Sequence, residues 1–307
     1  MSLTRSAPAW RAVAGAQDGV LTLRQALSAG LSRSDVKVRT QRGEWRALLR
    51  GTYLVDADMH DEPPPRSLVR AASLAVPGGV LCGRSAAAVL GLRGMDGDAA
   101  PAEIAVPSGR PVTARPGLAV RQVAVPAEHV TTVDGMAVTS PLWTVGDLLL
   151  SRGRMESVAV LDAALNDGRL VAADVEDLES LLAHRPGVVA ARDRIRESNW
   201  RSESPLETRV RLICADGGVA PDSLQHPVLD QWGNLLGYGD MAWTRARLVG
   251  EADGRSVHGA PPALYGDRWR ANNFQTAGWT MVRFTWADTY RPRYIVSVVR
   301  QALAAAA

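Results

Sequence analysis

Residues 19–55 carry an order of local signals that few folds satisfy. Thr22 is placed to cap a short helix, and Gly30 is placed to end that helix as a C-terminal glycine. After a tight turn, Ser32 or Ser34 can cap a second helix that carries several basic residues. The pattern predicts a helix-turn-helix whose second helix is positively charged.

A strand pair follows this helix. Gly43 breaks the helix, and the run from Trp45 to Val55 alternates like two short strands, with Trp45 in their core. Residues 1–57 carry nine basic against four acidic side chains, a balance that a phosphate-binding module needs. We therefore predict a winged helix-turn-helix domain in residues 1–60 that binds double-stranded DNA.

Six basic residues of this module are candidates for DNA contacts. Those on the second helix are predicted to read base edges in the major groove, which is about 12 Å wide, and they are Arg33, Lys37 and Arg39. Those at the helix end and in the wing are predicted to contact phosphates, and they are Arg42, Arg46 and Arg50. A second interpretation stays open, in which this basic face is only solvated and the module binds protein.

The rest of the chain divides by composition and element order. An acidic, proline-rich connector, DADMHDEPPPR, places a boundary near residue 60. Residues 61–203 read as a mixed α/β middle domain with acidic amphipathic helices. Residues 204–307 read as helix, three-strand meander, helix, strand and helix, the order of a restriction-endonuclease-like α/β domain. The predicted fold class is multidomain α/β.

Carboxylates interrupt two apolar strands of this last domain. Asp240 and Glu251 lie eleven residues apart, where a hairpin brings them together, and Asp253 points to the same strand face as Glu251. Such carboxylates repel each other unless a cation is present, which predicts a site for Mg²⁺ or Mn²⁺. Asp253 also precedes Gly254 in a common turn dipeptide, so a purely structural role stays open for it. Trp243 and Trp279 are predicted to be core residues.

Several segments resemble known families. The stretch GVLTLRQALSAGLSRSDVKVRTQRGEWRALLRGTYLV resembles the N-terminal winged helix of the AbiEi antitoxins, and GRSAAAVLGL, TSPLWTVGDLLL and VLDAALNDG are similar to the domain that follows it in actinobacterial members. The segments SPLETRVRLI, GDMAW, GEADGRSVHG and NNFQTAGWTMVRFT resemble the very-short-patch-repair (Vsr)-like nucleases, a branch of the PD-(D/E)xK enzymes. The resemblance covers nearly the whole chain.

These resemblances imply functions and site residues. The AbiEi resemblance implies autorepression of an operon and opposition to a nucleotidyltransferase-like toxin, as in type IV toxin–antitoxin systems. The nuclease resemblance implies a catalytic group of Asp240, Glu251, Asp253 and His258, and it adds Glu207 to Asp240 and Glu251 as a metal ligand. Ser204 and Glu207 also fit a capping box, and a loop histidine is often only a surface residue, so both alternatives stay open. Asp253 stands where the wider PD-(D/E)xK pattern has lysine, and plain antitoxins have no nuclease-like tail.

The composition of the chain limits the classes of protein to which it can belong. No apolar run approaches about 18 residues and the N-terminus lacks a signal-peptide pattern, so a cytoplasmic protein without membrane or small-molecule cofactor is expected. Cys82 and Cys214 lie in apolar surroundings and are expected to be buried thiols. Three functions remain: a metal-dependent endonuclease directed by its winged helix, a non-catalytic transcriptional repressor and antitoxin, and an interaction protein that uses its acidic middle domain.

Overall fold

The computed structural model describes residues 9–95, 101–254 and 261–306 of the chain. The chain forms two compact units. Unit 1 comprises Met1–Leu92 and Asp96–Leu148, and unit 2 comprises Arg93–Met95 and Leu149–Ala307. Over the described part of the chain, no helix is long and apolar enough to span a bilayer.

The N-terminal part of unit 1 contains the two predicted capped helices followed by the predicted strand pair, and a helix and a strand precede them. Thr22 and Ser32 each cap a helix through a reciprocal capping box. Trp45 is buried and packs edge-on against Trp10 at 5.2 Å between ring centroids, which confirms it as a core residue. The three strands pair in the order β1-β3-β2. The elements are α1 (Ala9–Gly15), β1 (Val20–Thr22), α2 (Leu23–Ser28), α3 (Arg33–Gln41), β2 (Arg46–Leu49) and β3 (Thr52–Leu54).

The remainder of unit 1 is a five-stranded mixed sheet with helices packed on it. The strand order is β6-β5-β4-β8-β7, with β5–β6 and β4–β8 parallel. Small apolar residues of α4 and α5 pack against buried β-branched and leucine side chains of the sheet. The elements are α4 (Pro65–Ala75), β4 (Val80–Leu81), α5 (Gly83–Leu90), β5 (Ala102–Val106), β6 (Leu118–Gln122), β7 (Val130–Val133), β8 (Met136–Thr139) and α6 (Pro141–Ser151), whose last three residues belong to unit 2.

Ion pairs connect the two sides of the expected boundary near residue 60. Asp18 accepts from Arg66 at 2.7 Å and from Arg70 at 2.8 Å. Burial raises the pKa of the Asp18 carboxyl, but these hydrogen bonds outweigh burial and leave the pKa lowered. Ser67 also donates to the Asp18 carbonyl at 2.7 Å. The compact unit therefore runs through the connector, and the domain boundary at residue 60 stays a sequence-based prediction.

Unit 2 begins with helices and ends with a four-stranded sheet. The order from α10 onward is the predicted one of helix, three-strand meander, helix, strand and helix, with an additional helix of 4 residues before the last. The strands lie in the order β12-β11-β10-β9, and only the β11–β12 pair is parallel. The elements are α7 (Arg154–Asn166), α8 (Ala172–Leu182), α9 (Val188–Glu197), α10 (Pro205–Asp216), β9 (Ser223–Leu229), β10 (Leu235–Trp243), β11 (Leu248–Ala252), α11 (Pro261–Thr276), β12 (Thr280–Phe284), α12 (Trp286–Thr289) and α13 (Pro292–Ala305).

The predicted core residues of this unit differ in burial. Trp243 is 5% exposed and donates its indole N–H to the Val219 carbonyl at 2.9 Å, so its core assignment is confirmed. Trp279 is only half-buried and lies 5.2 Å from the His226 ring. Both cysteines are buried as predicted, and burial raises the pKa of the Cys214 thiol to about 12.

A buried polar network connects α7 with α10. Asp162 is 1% exposed and accepts from Arg211 at 2.8 Å, from the Thr208 hydroxyl at 2.7 Å and from the Asn199 amide at 2.6 Å. Burial outweighs these contacts and raises the pKa of the Asp162 carboxyl. The network crosses the expected boundary between residues 203 and 204, so the helices before it and the sheet after it share one compact unit.

Candidate nucleic-acid interface and acidic pocket

The basic helix α3 starts at a well-formed cap. The Ser32 hydroxyl accepts from the Asp35 amide at 3.1 Å, and Asp35 accepts from the Ser32 amide at 2.8 Å. The Ser32 hydrogen bonds lower the pKa of the Asp35 carboxyl. Arg33 and Lys37 follow one helical turn apart on one face, and both side chains are exposed. Along the described part of the chain, neither makes an ion pair.

The two remaining candidates on or beside α3 are less available for contacts with DNA. The Arg39 guanidinium lies over the Trp10 ring at 5.9 Å and is half-buried. It also donates to the Asp35 carbonyl at 3.4 Å. Arg42 is exposed and lies 3.8 Å from Glu44, a separation at which an exposed pair contributes little.

The two candidates of the strand pair lie in different surroundings. Arg46 donates to the carbonyls of Asp61 at 3.1 Å and His60 at 3.3 Å, so it is bound to the connector. Arg50 lies in the turn between β2 and β3, where it is exposed. Among the six candidates, the exposed cations are therefore Arg33, Lys37, Arg42 and Arg50, which we call the basic surface.

A pocket of about 500 Å³ in unit 2 brings together the predicted carboxylates. It lies where the start of α10 meets the middle of β10 and the end of β11. Met241 pairs with Gly250, so Asp240 and Glu251 are the next residues on the two antiparallel strands. The carboxylates that line this acidic pocket are Glu203, Glu207, Asp240, Glu251 and Asp253.

Glu207 is buried in the first turn of α10. The Ser204 hydroxyl accepts from the Glu207 amide at 3.2 Å, which is one half of the expected capping box. The Glu207 carboxylate accepts from the Glu203 amide at 2.8 Å and from the Gln225 side chain at 3.0 Å. Burial raises the pKa of the Glu207 carboxyl despite these bonds. A helix cap therefore explains the serine, while the glutamate side chain lines the pocket.

Asp240 is the most perturbed carboxyl of the pocket. Burial raises its pKa to about 6, and the negative charges of Glu207 and Glu203 add to that increase. The Ala252 amide donates to its Oδ2 at 2.8 Å. This hydrogen bond and the positive charge of Arg270 both lower the pKa of Asp240, but they do not offset the increase. A carboxyl that is hard to ionise by itself is ionised more readily when a cation arrives.

Arginines neutralise Glu251 in this structure. Arg270 lies 2.9 Å from its Oε1, and Arg283, its register partner on the parallel strand β12, lies 3.3 Å from its Oε2. Arg270 also donates to the Tyr238 carbonyl. A divalent cation at this position would therefore compete with Arg270 for the same oxygen.

Asp253 and His258 are the two other predicted catalytic residues. Asp253 lines the pocket and its amide donates to the Phe284 carbonyl at 2.8 Å. His258 lies outside the described residues. Over the ranges that the structure describes, no group of three or more His, Cys, Asp or Glu side chains is arranged to hold a metal ion. Glu207 and Asp240 fit a hard cation by their donor chemistry and burial, and Glu251 fits if its arginines withdraw.

Two lining residues of this pocket, and a third residue that contacts Glu207, were not predicted from the sequence. Gln225 adopts a left-handed backbone (φ 47°) within β9, which places its amide on Glu207. Glu203 ends a loop, and Arg270 reaches the pocket from α11. The only local signal was the position of Glu203 beside the capping box, since the other two depend on packing between distant segments.

Two candidate sites result from this geometry. Exposed cations on a capped helix beside a strand pair supply the positive charge that phosphate binding requires, and a pocket of unit 2 is lined by carboxylates. Residues 79–197 match the family model described as the AbiEi antitoxin C-terminal domain.

Similar proteins occur in Mycobacterium tuberculosis. The uncharacterized proteins Rv2248 of strain H37Rv and MT2308 of strain CDC 1551 are each 31% identical over 159 residues. The alignment covers 52% of this chain and 58% of each relative. The chain thus spans less than two thirds of the length of each relative that it matches.

Proposed function

We propose that this chain is a DNA-binding regulator whose N-terminal winged helix reads an operator through α3. The observation that carries the proposal is the basic surface, in which Arg33 and Lys37 lie one turn apart and exposed on a capped helix. Exposed cations at this spacing match a major-groove helix, and Arg42 and Arg50 extend the charge towards the flanking phosphates.

The test measures binding of the full chain to duplex DNA by fluorescence anisotropy at several salt concentrations. Binding is expected to weaken steeply with salt, because each phosphate contact releases counterions. Replacing Arg33 and Lys37 together by alanine is expected to relax sequence preference by roughly 1–3 kcal/mol per base contact. Arg245→Gln, an exposed arginine of unit 2, is the matched control. Equal binding by wild type and the double variant would remove α3 from the interface.

The proposed physiological partner is a toxin of the nucleotidyltransferase-like type, with residues 79–197 opposing it. The support is the match of this segment to the antitoxin domain. The test is growth of cells that express such a toxin from the same genome, with and without this chain. Rescue by the variant with altered Arg33 and Lys37 would separate antitoxin action from DNA binding.

A second candidate function is metal-dependent cleavage of DNA in the acidic pocket. It is favoured by one observation, the five carboxylates that line one pocket around buried Glu207, where burial raises the pKa of the Asp240 carboxyl. Glu207, Asp240 and Glu251 would hold Mg²⁺ or Mn²⁺, with Asp253 beside them, and His258 would act as general acid or base. Bound metal supplies an activated water and polarises the phosphate. The family match ends before residue 204, so this candidate depends on the pocket itself.

Incubation of the purified chain with supercoiled and linear DNA, with and without Mg²⁺ or Mn²⁺, tests this candidate. Cleavage is expected only with metal, and Asp240→Asn is expected to abolish it while leaving DNA binding intact. Metal is also expected to raise the melting temperature of wild type more than that of Asp240→Asn. Binding of DNA with neither cleavage nor metal-dependent stabilisation would leave the repressor and antitoxin function.

A further inference from the structure

A cavity of about 810 Å³ in unit 2 lies between α10 and α13, apart from the acidic pocket. Its apolar lining residues, which we call the floor, are Met155, Ile213, Pro292 and Val296, and its lining arginines, which we call the rim, are Arg209, Arg293 and Arg300. None of these residues lines the acidic pocket. The volume is within the range of about 300–1,000 Å³ that is usual for small-molecule sites.

Arg209 is held in place without an anionic partner. Its guanidinium lies 5.9 Å from the Trp286 ring and 5.4 Å from the Tyr290 ring, contacts that fix its orientation. Its Nε is buried and has no hydrogen-bond partner among the described residues. Across the same ranges, no carboxylate pairs with it. A guanidinium fixed in this way presents a planar set of donors to a ligand oxyanion.

The remaining charges of the cavity leave its rim positive. Asp216 is an acidic lining residue, but Arg154 binds both of its oxygens, at 2.7 and 2.9 Å. Arg300 donates to the Gly217 carbonyl at 2.6 Å, and Arg293 is exposed. Because Arg154 offsets the Asp216 charge, the arginines of the rim attract anions.

We propose that this cavity binds a phosphorylated small molecule of nucleotide size. Arg209 holds the phosphate together with Arg293, and the apolar floor packs against the organic part of the ligand. Such a ligand adds a binding function that neither DNA recognition nor cleavage requires. It also departs from the expectation that no small-molecule cofactor is involved.

The test uses the full chain and isothermal titration calorimetry with AMP, ATP, inorganic phosphate, adenosine and a 5′-phosphorylated oligonucleotide. A nucleotide is expected to bind at least about tenfold more tightly than adenosine, because adenosine has no charged oxygens for Arg209. Arg209→Gln is expected to lose that binding, and Arg245→Gln, an exposed arginine outside the cavity, is expected to retain it.

A second variant protects the test against misfolding. Arg209→Lys keeps the charge and the aliphatic stem but loses the planar donor set, so it is expected to fold normally and to bind more weakly. Absence of binding by wild type, or equal binding by wild type and Arg209→Lys, would overturn the proposal. Equal affinity for phosphate and AMP would overturn the role of the apolar floor. Binding confined to a 5′-phosphorylated oligonucleotide would overturn the small-molecule assignment.

Discussion

Among single residues, Asp240 links stability to pH most directly. Its folded pKa of about 6 lies above the ordinary value of 3.8 because of burial. The protonated form is therefore favoured in the folded state, and the stability that it contributes is complete below about pH 4 and lost as the pH rises through 6.

Asp240→Asn removes this titration while keeping the shape of the side chain. In metal-free buffer the variant is expected to be more stable than wild type at pH 7.5, by at most about 3 kcal/mol, and nearly equal to it at pH 4. Urea denaturation at both pH values measures the difference. A variant that is less stable at pH 7.5 would show that the Asp240 carboxylate has a favourable structural partner.

Two tryptophans of unit 2 provide a matched pair at the same scale. Trp243 is 5% exposed and Trp232 is 77% exposed. Trp243→Ala is expected to lower the free energy of unfolding by about 3–5 kcal/mol, since it opens a cavity and frees the Val219 carbonyl. Trp232→Ala is expected to change it by less than about 0.5 kcal/mol. Chemical denaturation distinguishes them, and similar losses would contradict the burial of Trp243.

Within the helix α3, the N-terminal cap decides where the basic surface begins. Two serines, Ser32 and Ser34, satisfied the sequence pattern for a cap, and the structure selects Ser32. Ser32→Ala is expected to destabilise the chain by about 1 kcal/mol, because the Asp35 amide loses its acceptor. Ser34→Ala is the control and is expected to be neutral or slightly stabilising, since alanine favours helix interiors. Thermal denaturation compares the two, and a larger loss for Ser34→Ala would reassign the cap.

At the scale of the whole molecule, the Asp162 network determines which segments fold together. Arg211 of α10 pairs with a carboxylate of α7, at 2.8 Å. A fragment of residues 204–307 would leave that guanidinium without its buried partner. It is expected to unfold at a lower urea concentration than a fragment of residues 149–307, which retains the network. Circular dichroism during urea titration measures both, and equal midpoints would show that residues 204–307 fold independently.

Much of the local structure could be predicted from the sequence. Caps, glycine turns and alternating patterns act over a few residues, so the order of the N-terminal elements, the meander β9–β11 and the approach of Asp240 to Glu251 followed from neighbouring positions. The carboxylates of the acidic pocket were identified because acidic residues within apolar strands are unusual.

The contacts that set the chemistry of these residues depended on tertiary structure. Arg46 binds the connector, Glu251 meets Arg270, and Asp162 pairs with Arg211. The contacts of the Arg209 guanidinium with the Trp286 and Tyr290 rings likewise depend on tertiary structure. These partners lie 15 to 81 residues apart in the sequence. Because every arginine of the chain carries the same donors, the sequence does not show which arginine meets which partner. The sequence by itself thus determined which elements form and where carboxylates gather, while packing alone decided which charge faces which, because that choice is made by distances across the fold.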